Sequence, residues 1–255
     1  PAPPETASAN ATPYLKPLKG IRGVAWNIYG TLLRISGGKL RFTHPEISQM
    51  QVALEKVIAE FNMWHSMPRK PGPPWEQLND QYRRILEEQQ MSDTQRKGER
   101  PEVDSSRIWR KLFRRLAEKG YDYDMNLYGD PEELSDKIAY FFHSCLQGIE
   151  AAPNALNALA AVADANLTQG LLAEAQSFTI VQMLRALRAQ GTLPPLGSLF
   201  ALDTLTLSFQ EGVGKPSPSL YRSSLEQFRS HGISPSEVLY VGNRLSDDLA
   251  IAKSA

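Results

Sequence analysis

Four short segments of this chain carry side chains suited to holding an anion or a cation. The first is Asn27-Ile28-Tyr29-Gly30-Thr31 and the second Glu174-Ala175-Gln176-Ser177. The third is Glu211-Gly212-Val213-Gly214-Lys215-Pro216, and the fourth runs from Gly242 through Asn243 and Arg244 to Asp247-Asp248. Together they offer one lysine, adjacent carboxylates, several amides and turns that contain glycine. Backbone N–H groups and a lysine attract an anion, and carboxylate oxygens suit a hard divalent cation. Arg34, three residues after Thr31, adds a planar fork for a substrate carboxylate.

These segments need elements that bring them together. Val24, Ala25, Trp26 and Ile28 form an apolar run broken by Gly30-Thr31, which suits a strand buried on both faces. From Pro45 to Gly148 the pattern turns helical. Leu54, Val57, Ile58, Phe61 and Trp64 follow three-four spacing, as do Ile108, Trp109, Leu112, Phe113 and Leu116. Pro131 opens a further helix containing Cys145. After Pro153 strands alternate with helices, with strands expected at 169–174, 198–202, 204–209 and 238–241. Ser177 is placed to cap the helix that runs to Gln190.

That alternation predicts an α/β fold: a doubly wound, mainly parallel sheet with helices on both faces. The expected organisation is a flexible tail over 1–20, an α/β core made of 21–43 and 150–255, and an all-helical cap, 44–149, inserted after the first strand. The last helical pattern reaches Ala255, and further residues are expected beyond it. Ligands of such sheets bind beyond the carboxyl ends of the strands, where all four segments fall.

Composition narrows the function. The chain has 255 residues, with 28 basic and 28 acidic side chains and 42% hydrophobic residues, so it can bury a core and carries no net charge to draw it to nucleic acid or a membrane surface. No apolar run is long enough to span a bilayer. Residues 96–119 hold nine Lys or Arg against four acids, read here as the solvated face of a helix rather than a nucleic-acid contact. Cys145 is the only cysteine, which suits a reducing, cytoplasmic setting. His44, His65, His143 and His231 lack metal-ligand spacing.

In order and spacing, the segments resemble the haloacid dehalogenase-like (HAD) hydrolase superfamily. Its opening motif, Asp-x-Asp-Gly-Thr or Asp-x-Tyr-Gly-Thr, stands here as Asn27-Ile28-Tyr29-Gly30-Thr31. Its Lys-Pro motif stands as Lys215-Pro216, and its Val-Gly-Asp with a later Asp as Val241-Gly242-Asn243 and Asp248. The resemblance covers about residues 21–255 and implies hydrolysis of a small phosphate ester or 2-haloacid through an aspartyl ester. It assigns the nucleophile position to Asn27, the acid–base position to Tyr29, loop orientation to Thr31 and charge neutralisation to Lys215. Arg34, Gln176 and Ser177 fall on the substrate side. Asn27, Asn243, Asp247 and Asp248 fall at a Mg²⁺ site. Asparagine is neutral and a poor nucleophile, and loss of a nucleophile costs hydrolases about 10⁴- to 10⁶-fold in rate. The expectation is therefore a nearly inert hydrolase fold that takes a small anionic ligand. The alternative is a non-catalytic ligand-binding or scaffold pseudoenzyme. Departures at several motifs favour a naturally decayed site over one introduced substitution.

Overall fold

A computed structural model of the chain describes residues 1, 12, 14, 16–66, 72–91 and 99–254. Most of the segment expected as an N-terminal tail lies outside these, as does Ala255.

The core sheet has four parallel strands. β1 (Gly23–Trp26) is central and buried along its whole length, as its unbroken apolar run requires. After β1 the chain makes a short strand, β2 (Leu33–Ile35), and enters the cap. The cap helices are α1 (Ile47–Glu60), α2 (Pro74–Gln90), α3 (Ser105–Ala117), α4 (Met125–Tyr128) and α5 (Pro131–Leu146). Between α2 and α3 lies β3 (Arg100–Pro101), so the segment expected to be wholly helical contains a strand. β4 (Ile149–Ala151) returns the chain to the core, followed by α6 (Ala155–Asp164), β5 (Thr168–Ala173), α7 (Thr179–Arg188) and α8 (Leu196–Leu199). Then come β6 (Leu205–Leu207), α9 (Ser208–Glu211), β7 (Val213–Gly214), α10 (Pro218–Ser230), β8 (Val238–Val241) and α11 (Ala250–Ser254).

The sheet order is β6-β5-β1-β8, all parallel. α6 and α7 cover one face through Leu159, Met183 and Leu187, and α10 covers the other through Leu220, Tyr221 and Phe228. Helices on both faces of a parallel sheet make the core doubly wound. The strand expected at 198–202 is instead the helical turn α8, which follows Pro194-Pro195 and closes with Phe200 N–H donating to the Leu196 carbonyl. No described helix is long and apolar enough to cross a membrane.

The cap has its own core around Tyr82, Trp109 and Phe142, whose ring centroids lie 5.0–5.5 Å apart. α5 starts with a capping box between Asp130 and Glu133, with Pro131 in the first turn. Trp64, expected on the apolar face of the first cap helix, lies beyond its end in a 3₁₀ turn and is 61% exposed.

Two antiparallel ribbons stand at the junction of cap and core. β2 pairs with β4, setting Arg34 opposite Glu150, and β3 pairs with β7, setting Arg100 opposite Gly214. The second joins the cap directly to the loop that carries Lys215.

Candidate functional site

The ends of β1, β5 and β8 and the loop after β7 meet at one rim of the sheet, beneath the cap. Gly30 turns the chain there with φ of +82°, a conformation open to glycine, and a Cβ on it would collide with the Asn243 amide.

At the centre is Lys215, fully buried. Its ammonium donates to Asp248 Oδ1 at 2.7 Å, to Asn27 Oδ1 at 3.1 Å and to the Tyr240 hydroxyl at 2.5 Å. Tyr240 in turn donates to Asp248 Oδ1 at 3.0 Å. Asp248 Oδ2 accepts from the backbone N–H of Asn243 and Arg244, at 3.2 and 3.0 Å. Burial pushes the Asp248 carboxyl up, but Lys215 and these donors hold it below the usual carboxylate range. Burial also pulls the lysine below its ordinary range, and Asp248 opposes that fall.

Asn27 is 3% exposed and bonded on both sides of its amide. Nδ2 donates to the Tyr29 carbonyl at 3.1 Å, to Asn243 Oδ1 at 3.0 Å and to Asp248 Oδ2 at 3.4 Å, while Oδ1 accepts from Lys215.

The structure therefore brings Asn27, Lys215, Asn243 and Asp248 together. Tyr29 and Gln176 line the cleft beside Asn27 but bond neighbouring protein groups, and Arg34, Thr31 and Ser177 are not among its lining residues. The Tyr29 ring turns into the core, and its hydroxyl bonds Thr179 Oγ1 at 3.0 Å and Gln182 Oε1 at 2.7 Å. Burial pushes that hydroxyl far above the ordinary tyrosine range. Arg34 pairs with Glu150 across the β2–β4 ribbon, which accounts for its fork without a substrate. Thr31 is half-buried and its Oγ1 bonds no protein group. Ser177 does not cap α7. Its hydroxyl donates to Asp136 Oδ1 of the cap at 2.8 Å, and Thr179 Oγ1 accepts the Gln176 N–H instead. Gln176 is buried and spent on the cap, donating to the Val103 carbonyl at 2.7 Å and Glu102 Oε1 at 3.1 Å while accepting from Ser105 N–H at 2.8 Å.

The donor set does not fit Mg²⁺. Both Asp248 oxygens already accept from nitrogen or hydroxyl donors, Asn27 and Asn243 are bonded to each other, and Asp247 pairs with Arg244 at 3.1 Å. Among the described residues no three His, Cys, Asp or Glu side chains are grouped to hold a metal ion. Lys215 supplies positive charge beside these oxygens.

A cleft of about 250 Å³ opens between cap and core next to Asn27. Leu40, Phe42, Leu86 and Val103 line it with apolar surface; Lys39, Arg41, Arg100 and Arg244 bring positive charge, and Glu102 and Glu174 bring carboxyls. Glu174 is ion-paired with Arg244. Burial, reinforced by Glu174, pushes the Glu102 carboxyl up to about 8 even though Ser208 and Arg100 oppose the rise. Tyr240, Glu102, Arg100 and Arg41 join the site without having been expected from the sequence. Tyr240, two residues before Gly242, was the one within reach of a motif.

No family model matches the chain, and no curated protein matches it. Solved structures do. A defluorinating L-2-haloacid dehalogenase is 19% identical, with 92% of this chain and 78% of that one covered at a TM-score of 0.45. A HAD phosphatase from Thermococcus onnurineus is 16% identical, with 92% and 82% covered at 0.45. A putative HAD hydrolase from Bacillus subtilis, bound to magnesium, is 17% identical, with 92% and 85% covered at 0.44. At such identities the chemistry of this chain rests on its own side chains.

Proposed function

We propose that this chain is a HAD-like hydrolase fold that binds a small anionic ligand in the cleft between cap and core, and that Asn27 stops the family's covalent step. The observation that supports this is the bonding of the Asn27 amide. Its Nδ2 faces three oxygen acceptors, the Tyr29 carbonyl, Asn243 Oδ1 and Asp248 Oδ2. A carboxylate oxygen in that place would give up these three contacts and face Asp248 Oδ2 at 3.4 Å, with Lys215 bonded only to the other oxygen of each side chain. The position is fitted to an amide, which is neutral and whose nitrogen lone pair is delocalised into its carbonyl. An anion is favoured because Lys39, Arg41 and Arg100 line the cleft, while Glu174 is neutralised by Arg244 and Glu102 stays protonated near neutrality.

The test is Asn27→Asp, assayed beside the unaltered chain on phosphate monoesters and 2-haloacids, with and without Mg²⁺. The expected result is anion binding by both proteins and turnover at least about 10²-fold higher in the variant. Equal turnover by both overturns the role given to residue 27. The ribbon that ties the cap to the Lys215 loop favours a second reading, a scaffold held shut without a ligand. Absence of both binding and turnover in the two proteins would support it.

A further inference from the structure

The β3–β7 ribbon closes the cap over the Lys215 loop, and Glu102 follows directly after its cap strand. The Glu102 N–H donates to the Gly212 carbonyl at 3.2 Å, and the Arg100 N–H donates to Ser217 Oγ at 2.8 Å. The side chain folds over the ribbon. Its Oε1 accepts from Gln176, and its Oε2 lies 2.9 Å from where a Cβ on Gly214 would stand. Glu174 Oε1, from the end of β5, lies 3.6 Å from the same point. Closing this ribbon thus brings a carboxyl of the cap and a carboxyl of the core to Gly214.

We infer that Glu102 is a proton-dependent latch: the ribbon closes over the cleft with uptake of one proton by Glu102, and loosens as the medium becomes alkaline. Charges of both signs surround Glu102. Arg244, from the loop after β8, is bound to Glu174 and Asp247. Lys215, after β7, is held by Asp248. Asp104, at the start of α3, is one more acid, and Glu99 on the approach to β3 faces Arg222 of α10 at 4.0 Å. Arg100, on β3 itself, is the cation that favours ionised Glu102; with the Ser208 hydroxyl of α9 it leaves the carboxyl still near 8. Lys39 and Arg41 line the cleft from the β2 side. With the ribbon open, Glu102 meets water and titrates as an ordinary carboxyl.

The sign follows from linkage. The closed state holds the proton up to about pH 8, whereas the open state releases it near the usual carboxylate value. Closure is strongest in acid, weakens by up to about tenfold per pH unit between those limits, and levels off above about 8.

The experiment is amide hydrogen exchange on the ligand-free chain from pH 5.5 to 9.5, with each rate corrected for the intrinsic pH dependence of exchange. Protection at Arg100, Glu102 and Ser105 is expected to fall with pH and then level, while Asn27 N–H, bonded to the Val241 carbonyl at 2.8 Å, keeps its protection. Glu102→Gln keeps a neutral hydrogen-bonding group and is expected to flatten the profile. Constant protection in the unaltered chain, or the same decline in Glu102→Gln, overturns the latch. If that variant does not fold, a ¹³C titration of the Glu102 carboxyl in the unaltered chain decides: a midpoint near 8 supports the latch, and one in the ordinary range overturns it. No ligand or turnover enters either measurement, so the outcome is independent of the role given to Asn27.

Discussion

The ammonium of Lys215 and the carboxylate of Asp248 stand 2.7 Å apart with neither side chain exposed to solvent. A buried pair of this kind makes a small net contribution, because desolvation offsets most of the attraction, but breaking it by removing one partner leaves an uncompensated charge. Lys215→Met is therefore expected to destabilise the chain by about 3–5 kcal/mol. Lys215→Met with Asp248→Leu is expected to recover much of that loss, since neither charge then remains. Urea denaturation of both variants checks this. A double variant no more stable than the single one would show that the pair is held by more than its own charges.

Magnesium is expected to leave the unaltered chain's stability almost unchanged. At about 10 mM Mg²⁺, a dissociation constant of the same size or weaker adds at most about 0.4 kcal/mol, a melting shift below about 2 °C. Thermal unfolding with and without the ion measures it. The physical reason is that both Asp248 oxygens are already engaged by Lys215, Tyr240 and two backbone N–H groups. A rise of several degrees would mean that these contacts yield to the metal.

Tyr29→Phe separates a structural from a chemical role for that ring. The hydroxyl bonds Thr179 and Gln182 inside the core, so its loss is expected to cost about 1–2 kcal/mol of stability. Combined with Asn27→Asp, it is expected to leave the variant's kcat within a few-fold. Denaturation and steady-state kinetics are the two readouts, and a kcat falling by orders of magnitude with unchanged stability would return Tyr29 to the reaction.

Much of this site was legible because its motifs are local. The buried run ending in Asn27, the Gly214-Lys215-Pro216 turn and the Gly242-to-Asp248 spacing each mark a strand end without reference to the rest of the chain. Alternation after Pro153 announced the parallel sheet for the same reason. What escaped depends on pairing across long separations. Arg34 reads as a substrate fork until β4 sets Glu150 opposite it. Ser177 reads as a cap until Asp136 of the cap domain takes its hydroxyl. Glu102 sits in a polar stretch with nothing to mark it, and only the β3–β7 ribbon gives it a carboxyl neighbour. Trp64 fits a helical stripe by spacing, but α1 ends at Glu60 and Asn62 takes a positive φ of 48°.

Gln176 gives the last expectation, because its amide joins cap and core without touching the charged centre. It accepts the N–H of Ser105, the first residue of α3, and donates to the Val103 carbonyl and to Glu102. Gln176→Ala leaves the Ser105 N–H and the Val103 carbonyl, both on buried residues, without their partner. Each such group costs about 1–3 kcal/mol. Because the cap keeps its own aromatic core, that loss is expected to loosen the junction rather than unfold either part. Exchange protection should therefore fall at Ser105 and along the β3–β7 ribbon and hold at the amides of α5. Loss of protection throughout α5 would show instead that the cap depends on the core for its fold, and that the ribbon is one part of a single cooperative unit.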